Sequence, residues 1–348
     1  MYTSPLPPVD IPDDPITPFV LGRVSELGDH PAMIDGPSGR TYTYSQLADA
    51  TYRVAGWLNG RGFGKGSVAG ILLPNMPEYF AVFHGAALTG GTVTTINPTY
   101  GPDEVTFQLT DSGAGLLVTI PMFLETAERA AEASGISDIV VIGETDDHIP
   151  FAALLQAEPF SGEPAIDVDN DVVVLPYSSG TTGYPKGVML THRNLVANLA
   201  QTEHILRVEA GRERVIAVLP FFHIYGMQVL MNNVIYRGGT VVTMPRFDLA
   251  EFLRLLQDES ITIAYLVPPI VLALAKHPMV DDYDLSSLRL IFSGAAPLSG
   301  ELAADTTKRL DVAVVQGYGM TELSPVTHST PEGTSNPASV GVTISNTE

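Results

Sequence analysis

Eleven residues, Tyr177-Ser178-Ser179-Gly180-Thr181-Thr182-Gly183-Tyr184-Pro185-Lys186-Gly187, gather hydroxyls, glycines and one ammonium between the apolar runs Val172 to Pro176 and Val188 to Leu190. Glycines let backbone N–H groups curl around phosphate oxygens, the side chains of Ser178, Ser179, Thr181 and Thr182 add donors, and Lys186 supplies a compact positive charge. The segment reads as an anion cradle. The chain holds only four lysines, Lys65, Lys186, Lys276 and Lys308, which argues against an accident of composition. A Walker A loop needs Gly-Lys-Ser/Thr running into a helix, whereas Lys186 is followed by Gly187 and a strand-like run, so a hairpin over phosphates is expected. A solvent-exposed Ser/Thr/Gly turn is the plain alternative.

Apolar strands alternating with amphipathic helices must position this loop, and such alternation specifies mostly parallel sheets covered by helices. The fold class is α/β, with two tandem αβ subdomains. Residues 1–20, carrying six prolines among the first eighteen positions, form an extended arm; 21–165 form the first subdomain, 166–330 the second, which bears the loop, and 331–348 begin a β-region or barrel that is cut short. A helix is expected over Gly226 to Tyr236 and a strand over Val215 to Leu219, which places His223 where open α/β sheets bind ligands.

Composition narrows the partners. The 348 residues carry a formal charge of −21, which opposes a broad nucleic-acid or anionic-membrane surface and leaves any anion site local. Zero cysteines exclude disulfides, thiolate catalysis and cysteine-ligated metals. No apolar run approaches a membrane span and the first basic residue is Arg23, so a cytoplasmic location is expected. No HExxH pair and no Gly-x-Ser-x-Gly elbow occurs, which leaves a hydrolase without chemistry.

The loop, together with Leu219-Pro220-Phe221-Phe222-His223-Ile224-Tyr225-Gly226, Ser293-Gly294-Ala295-Ala296-Pro297-Leu298 and Gln316-Gly317-Tyr318-Gly319-Met320-Thr321-Glu322, resembles the adenylate-forming family of acyl- and aryl-CoA ligases, beetle luciferase and peptide-synthetase adenylation domains. The wording is most similar to the 4-coumarate:CoA ligase branch. This resemblance implies an ATP-dependent carboxylic acid:CoA ligase acting on a 4-coumarate-like or medium-chain acid, with ATP, Mg²⁺ and coenzyme A as co-reactants.

It also implies site roles. ATP would meet Ser178, Ser179, Gly180, Thr181, Thr182, Gly183 and Lys186, with adenine along Ala295, Ala296 and Pro297 and against Gln316, Gly317, Tyr318 and Gly319. Thr321 would donate to the α-phosphate, His223 would stand beside the carboxylate, and Arg246 would approach a phosphate of CoA. Tyr225, Ala295, Gly317, Gly319, Pro325 and Val326 would form the acyl pocket. Glu322 faces a triphosphate, which requires an intervening cation, so it is the expected Mg²⁺ ligand.

Relatives further use an aspartate on ribose and a C-terminal domain carrying a lysine. No Asp follows Asp311 and no Lys follows Lys308, so these residues alone are expected to bind ATP weakly and turn over poorly. A non-catalytic nucleotide-binding module and an amino-acid adenylation domain remain as alternatives; the latter would place an aspartate near Phe222 to Tyr225, where none stands.

Overall fold

Short runs rich in Val, Ile and Leu become strands because branched side chains pack well on a pleated surface buried on both faces. A computed structural model describes residues 3–178, 185–333 and 336–348. Ser179, Gly180, Thr181, Thr182 and Gly183 of the expected phosphate loop lie outside the described residues. In chain order the first strands are β1 (Pro31–Asp35), β2 (Thr41–Thr43), β3 (Val68–Ile71), β4 (Thr92–Thr95), β5 (Leu116–Thr119), β6 (Asp138–Val141), β7 (Ile149–Pro150), β8 (Val172–Ser178), β9 (Lys186–Gly187) and β10 (Leu190–Thr191). Then follow β11 (Arg214–Ala217), β12 (Thr240–Thr243), β13 (Ile263–Leu266), β14 (Leu290–Ser293), β15 (Ala313–Gly319), β16 (Val326–Ser329) and β17 (Val342–Thr343).

One sheet is ordered β10-β8-β4-β3-β5-β6-β7, with β9 paired to β8, and the other β17-β16-β15-β14-β13-β11-β12-β1-β2. The interior pairs are parallel, as in Ala69↔Val93, Leu117↔Ile139, Val215↔Val241 and Ala264↔Ile291. Helix Pro77–Leu88 is buried along its whole length and packs against β3, β4 and β1, so it touches both sheets. A helix apolar on every side has no face to offer water. Among the described residues no helix is long and apolar enough to cross a membrane.

The expected division of the chain is crossed by pairing in both directions. β1 lies within 21–165 yet pairs with β12 of the other sheet, Met33↔Val241, where Thr240 Oγ1 donates to the Pro31 carbonyl at 2.7 Å. β8 lies within 166–330 yet pairs with β4, Val93↔Val174. The hydrophobic pattern of a strand says that it is buried; it does not say beside which neighbour. After Glu322 the chain forms β16 and β17, which extend the edge of the second sheet in antiparallel pairing, and no closed barrel occurs among the described residues.

Local structure also departs from expectation at Gly226 to Tyr236. Residues Tyr225–Asn232 form a π-helix, continued by the α-helix Asn233–Arg237. The wider turn accommodates the close return of the preceding loop, for a Cβ on Gly226 would stand 2.1 Å from the Pro220 carbonyl oxygen. Such π segments concentrate at functional sites. Helix His192–Gln201, not expected from the pattern, begins with a reciprocal cap between Thr191 and Asn194.

Candidate active site

The carboxyl ends of β11, β13, β14 and β15 converge on one side of the second sheet, and β8 of the first sheet ends nearby. The turn leaving β11 is fixed by a residue of the other sheet's half. Asn75, 3% exposed, donates through Nδ2 to the carbonyls of Ala217 and Leu219, both at 2.8 Å, and accepts from the Phe221 N–H at 2.7 Å. Thr95 Oγ1 donates to the Phe222 carbonyl at 2.7 Å. His223 follows this pinned turn. The Tyr225 N–H donates to His223 Nδ1 at 3.1 Å, so Nδ1 serves as the acceptor, and partial desolvation by the surrounding protein lowers the imidazole pKa although the residue keeps an exposed edge. A neutral ring at pH 7 carries its proton on Nε2.

His223, Tyr225, Ala295, Gly317, Tyr318, Gly319, Pro325 and Val326 line a single cleft. Sequence reasoning anticipated those eight. Ile224, Phe292, Gly294 and Met320 complete the lining; Phe292 was visible only as the last residue of an expected strand, without a chemical signal of its own. The walls are apolar and no carboxylate lines them. The Tyr225 hydroxyl is buried with no hydrogen-bond partner among the described residues, and burial raises its pKa well above the usual value, so it is a neutral donor. Gly319 must lack a side chain, since a Cβ there would stand 2.3 Å from the Pro325 carbonyl oxygen.

The turn after β14 is held from behind. Ala295 adopts φ 67°, a conformation disfavoured for L-residues, with its side chain at the cleft. Gln316, 3% exposed, accepts from the Leu298 N–H and donates to the Leu298 carbonyl, both at 3.1 Å, and also donates to the Pro337 carbonyl. Its amide is therefore spent on the protein's own backbone, and its place is behind the turn instead of against a ligand. Ala296 and Pro297 are exposed beside it. Tyr318 is half-exposed, with its ring edge toward His328 at a centroid distance of 6.0 Å, and offers a flat open face.

β8 and β9 form an antiparallel hairpin base, with Tyr177 opposite Gly187 and Ser178 opposite Lys186. Lys186 is exposed, while the Tyr177 hydroxyl donates to Asp111 Oδ2 at 2.6 Å and steadies one leg. Ser178 Oγ donates to Glu322 Oε1 at 3.5 Å. This contact brings the foot of the hairpin to the turn that borders the cleft. Thr321 is buried and Glu322 exposed. Among the described residues no three acids or histidines cluster as a metal cage. A lone accessible carboxylate beside a hydroxyl fits Mg²⁺, which takes one or two carboxylates together with phosphate oxygens and water. Arg246 is brought to none of this: it is exposed beyond β12 and does not line the cleft.

Residues 22–348 match the AMP-binding enzyme family, and the chain belongs to it. It is 40% identical over 331 residues to 4-coumarate--CoA ligase 1 of Petroselinum crispum, an alignment covering 94% of this chain and 61% of that protein. The chain thus spans about three-fifths of the length of the curated relatives it matches. Among solved structures it superposes on the anthranilate CoA ligase AuaEII in complex with anthranoyl-AMP with TM-score 0.88 at 25% identity, covering 97% of this chain and 64% of that one. It also superposes on the long-chain-fatty-acid-CoA ligase FadD1 from Archaeoglobus fulgidus with TM-score 0.90 at 24% identity, covering 99% and 72%, a likeness of fold.

Proposed function

We propose that this chain is the nucleotide- and acid-binding portion of an ATP-dependent carboxylic acid:CoA ligase that acts in the cytoplasm. The observation carrying the reading is the Ser178–Glu322 contact, made at the turn whose residues Tyr318 to Met320 line an apolar cleft with no carboxylate among its described lining residues. It supports a site where a triphosphate and a carboxylic acid meet end to end. In the first step a carboxylate oxygen attacks the α-phosphorus of ATP, the bond to the bridging oxygen breaks, and pyrophosphate leaves. In the second, the thiolate of CoA attacks the acyl carbon and AMP departs.

Both reactants of the first step are anions, so the protein's work is positioning and charge neutralisation. Lys186 and the hydroxyl and glycine residues from Ser178 to Gly183 hold the β- and γ-phosphates. Thr321 donates to the α-phosphate, and His223 presents Nε2–H beside the carboxylate without adding a second positive centre. Tyr318 stacks on the base, next to the turn Ala295-Ala296-Pro297. Glu322 would hold Mg²⁺, which when bound would supply charge neutralisation at phosphate oxygens. Arg246 meets a phosphate of CoA. Tyr225, Ala295, Gly317, Gly319, Pro325 and Val326 enclose the acyl group.

A flat aromatic acid of the 4-coumarate kind and a medium-length acyl chain both suit such a slot. An amino acid does not, since its ammonium would meet no carboxylate on the lining. Pyrophosphate release by the full-length protein, measured with cinnamates, benzoates and fatty acids from hexanoate to dodecanoate, with and without CoA, tests the reading. Release that requires one of these acids, with a thioester formed only when CoA is added, is expected. Release indifferent to the acid would refute it.

A further inference from the structure

Val326 forms one wall of the cleft, and both of its backbone groups bond to a side chain outside the cleft. Asn198 Nδ2 donates to the Val326 carbonyl at 2.8 Å, and the Val326 N–H donates to Asn198 Oδ1 at 3.3 Å. Asn198 is 4% exposed and lies on helix His192–Gln201, 128 residues away in the chain. Its amide does what a neighbouring strand would do, satisfying a donor and an acceptor of one residue and fixing its height.

The same helix is tied to the helix that begins at a second lining residue, Tyr225. Gln228 Nε2 donates to the Leu195 carbonyl at 2.7 Å, and Gln228 belongs to the π-helix that begins at Tyr225. Gln228 is itself held, since Asn232 Nδ2 donates to its Oε1 at 2.9 Å and His84 Nε2 lies 3.0 Å from Asn232 Oδ1. One helix is therefore hydrogen-bonded to two elements that line the acyl slot, less than one turn apart, by buried amides with no spare partner. Packed interiors transmit such constraints because they deform little.

We infer that Asn198 is a specificity-determining positioning residue: it sets the separation of Val326 from Tyr225 and thereby the thickness of acid the cleft admits. The inference rests on the ligase reading above. Asn198 touches no substrate. Removing its amide frees the Val326 backbone, so a slender acid loses contact while a bulky one gains room.

The test compares parent, Asn198→Ala and Asn198→Asp, each carried in the full-length protein, in pyrophosphate release, with benzoate as slender acid and 3,5-dimethoxycinnamate as bulky acid. Asn198→Asp keeps an acceptor for the Val326 N–H and loses the donor. In Asn198→Ala the kcat/KM ratio of slender to bulky acid should fall about tenfold, the order of discrimination a methylene-sized change in a pocket produces. Asn198→Asp should fall between it and the parent, with KM for ATP within about twofold of the parent in both. The ratio of two acids does not depend on how much protein is folded, so partial unfolding leaves the readout intact. An unchanged ratio, or KM for ATP rising in step with KM for the acids, would overturn the inference while the ligase reading stands. A parent that releases no pyrophosphate with any acid would remove both.

Discussion

Two of the turns that border the cleft are built on opposite plans. The turn from Ala217 to Tyr225 is locked by buried side chains of distant elements: Asn75 makes three hydrogen bonds to it and Thr95 a fourth. The turn from Tyr318 to Pro325 leaves Tyr318, Met320 and Leu323 well exposed, and is closed by its own backbone, as in the Met320 N–H to Pro325 carbonyl bond at 3.1 Å. A wall that selects an acid by shape must be rigid. A turn that meets phosphates and releases pyrophosphate must remain approachable. The difference separates substitutions that should damage chemistry alone from those that should damage the fold.

The largest effect belongs to the open turn. Glu322→Gln keeps size and hydrogen bonding but removes the charge, and should lower pyrophosphate release by about 100-fold or more, as losing one preorganised electrostatic contact does elsewhere. Because Glu322 is exposed and bonds only weakly to Ser178, the melting temperature should not move. Unchanged dependence on Mg²⁺ in this variant would deny Glu322 its metal role. Asn75→Ala is the converse. It strands two carbonyls and one N–H in the interior and should cost about 3 kcal/mol of stability, read from urea unfolding. A variant as stable as the parent would break the contrast between locked and open turns.

Acid should unfold the locked side. His84 is buried between Thr17 and Asn232 and against the rings of Phe80 and Phe83, with desolvation holding its pKa down at about 3. His192 accepts from the Ile16 N–H at Nδ1, and desolvation, opposed by the charge of Asp171, holds its pKa down at about 4. Both are depressed below the ordinary value of about 6.5, so the unfolded chain binds more protons than the folded one in between. Stability contributed by the neutral rings is complete above about pH 6.5 and falls on acidification toward pH 4, by about 1.4 kcal/mol per pH unit for each ring. Chemical unfolding from pH 7 to 4.5 measures it. His84→Asn should flatten the slope by about half, and an unaltered slope would reject His84 as a source.

How much of this was legible follows from the range of the interactions. The chemistry-bearing segments are contiguous: glycines, hydroxyls and Glu322 announce themselves by type and spacing, and alternating apolar runs announce mostly parallel sheets covered by helices. What stayed hidden is long-range. Asn75 and Asn198 are lone asparagines whose partners lie 142 to 146 and 128 residues away, and an isolated amide carries no period or motif. Gln316 was visible, but its backbone partners at Leu298 and Pro337 were not, so a supporting amide read as a ligand contact. β1 likewise joins the distant sheet because Thr240 and its neighbours offer the free edge, a fact absent from the Ala-Met-Ile run itself.

The smallest expected effect is at Arg246, which belongs to neither turn. Its side chain is exposed at the end of β12 and has no ion pair among the described residues, so it contributes nothing measurable to the fold. A guanidinium in that position attracts a phosphate through a screened, solvent-exposed contact, and such contacts are each worth about 1 kcal/mol or less. Arg246→Ala should therefore raise KM for CoA by about threefold to fivefold, leave acid- and ATP-dependent pyrophosphate release unchanged, and lose its effect as salt rises. That pattern would mark a third region, rim instead of wall or turn, that acts only on the second half-reaction. Equal changes in adenylation and thioester formation would instead draw Arg246 into the cleft's own electrostatics, which its absence from the lining argues against.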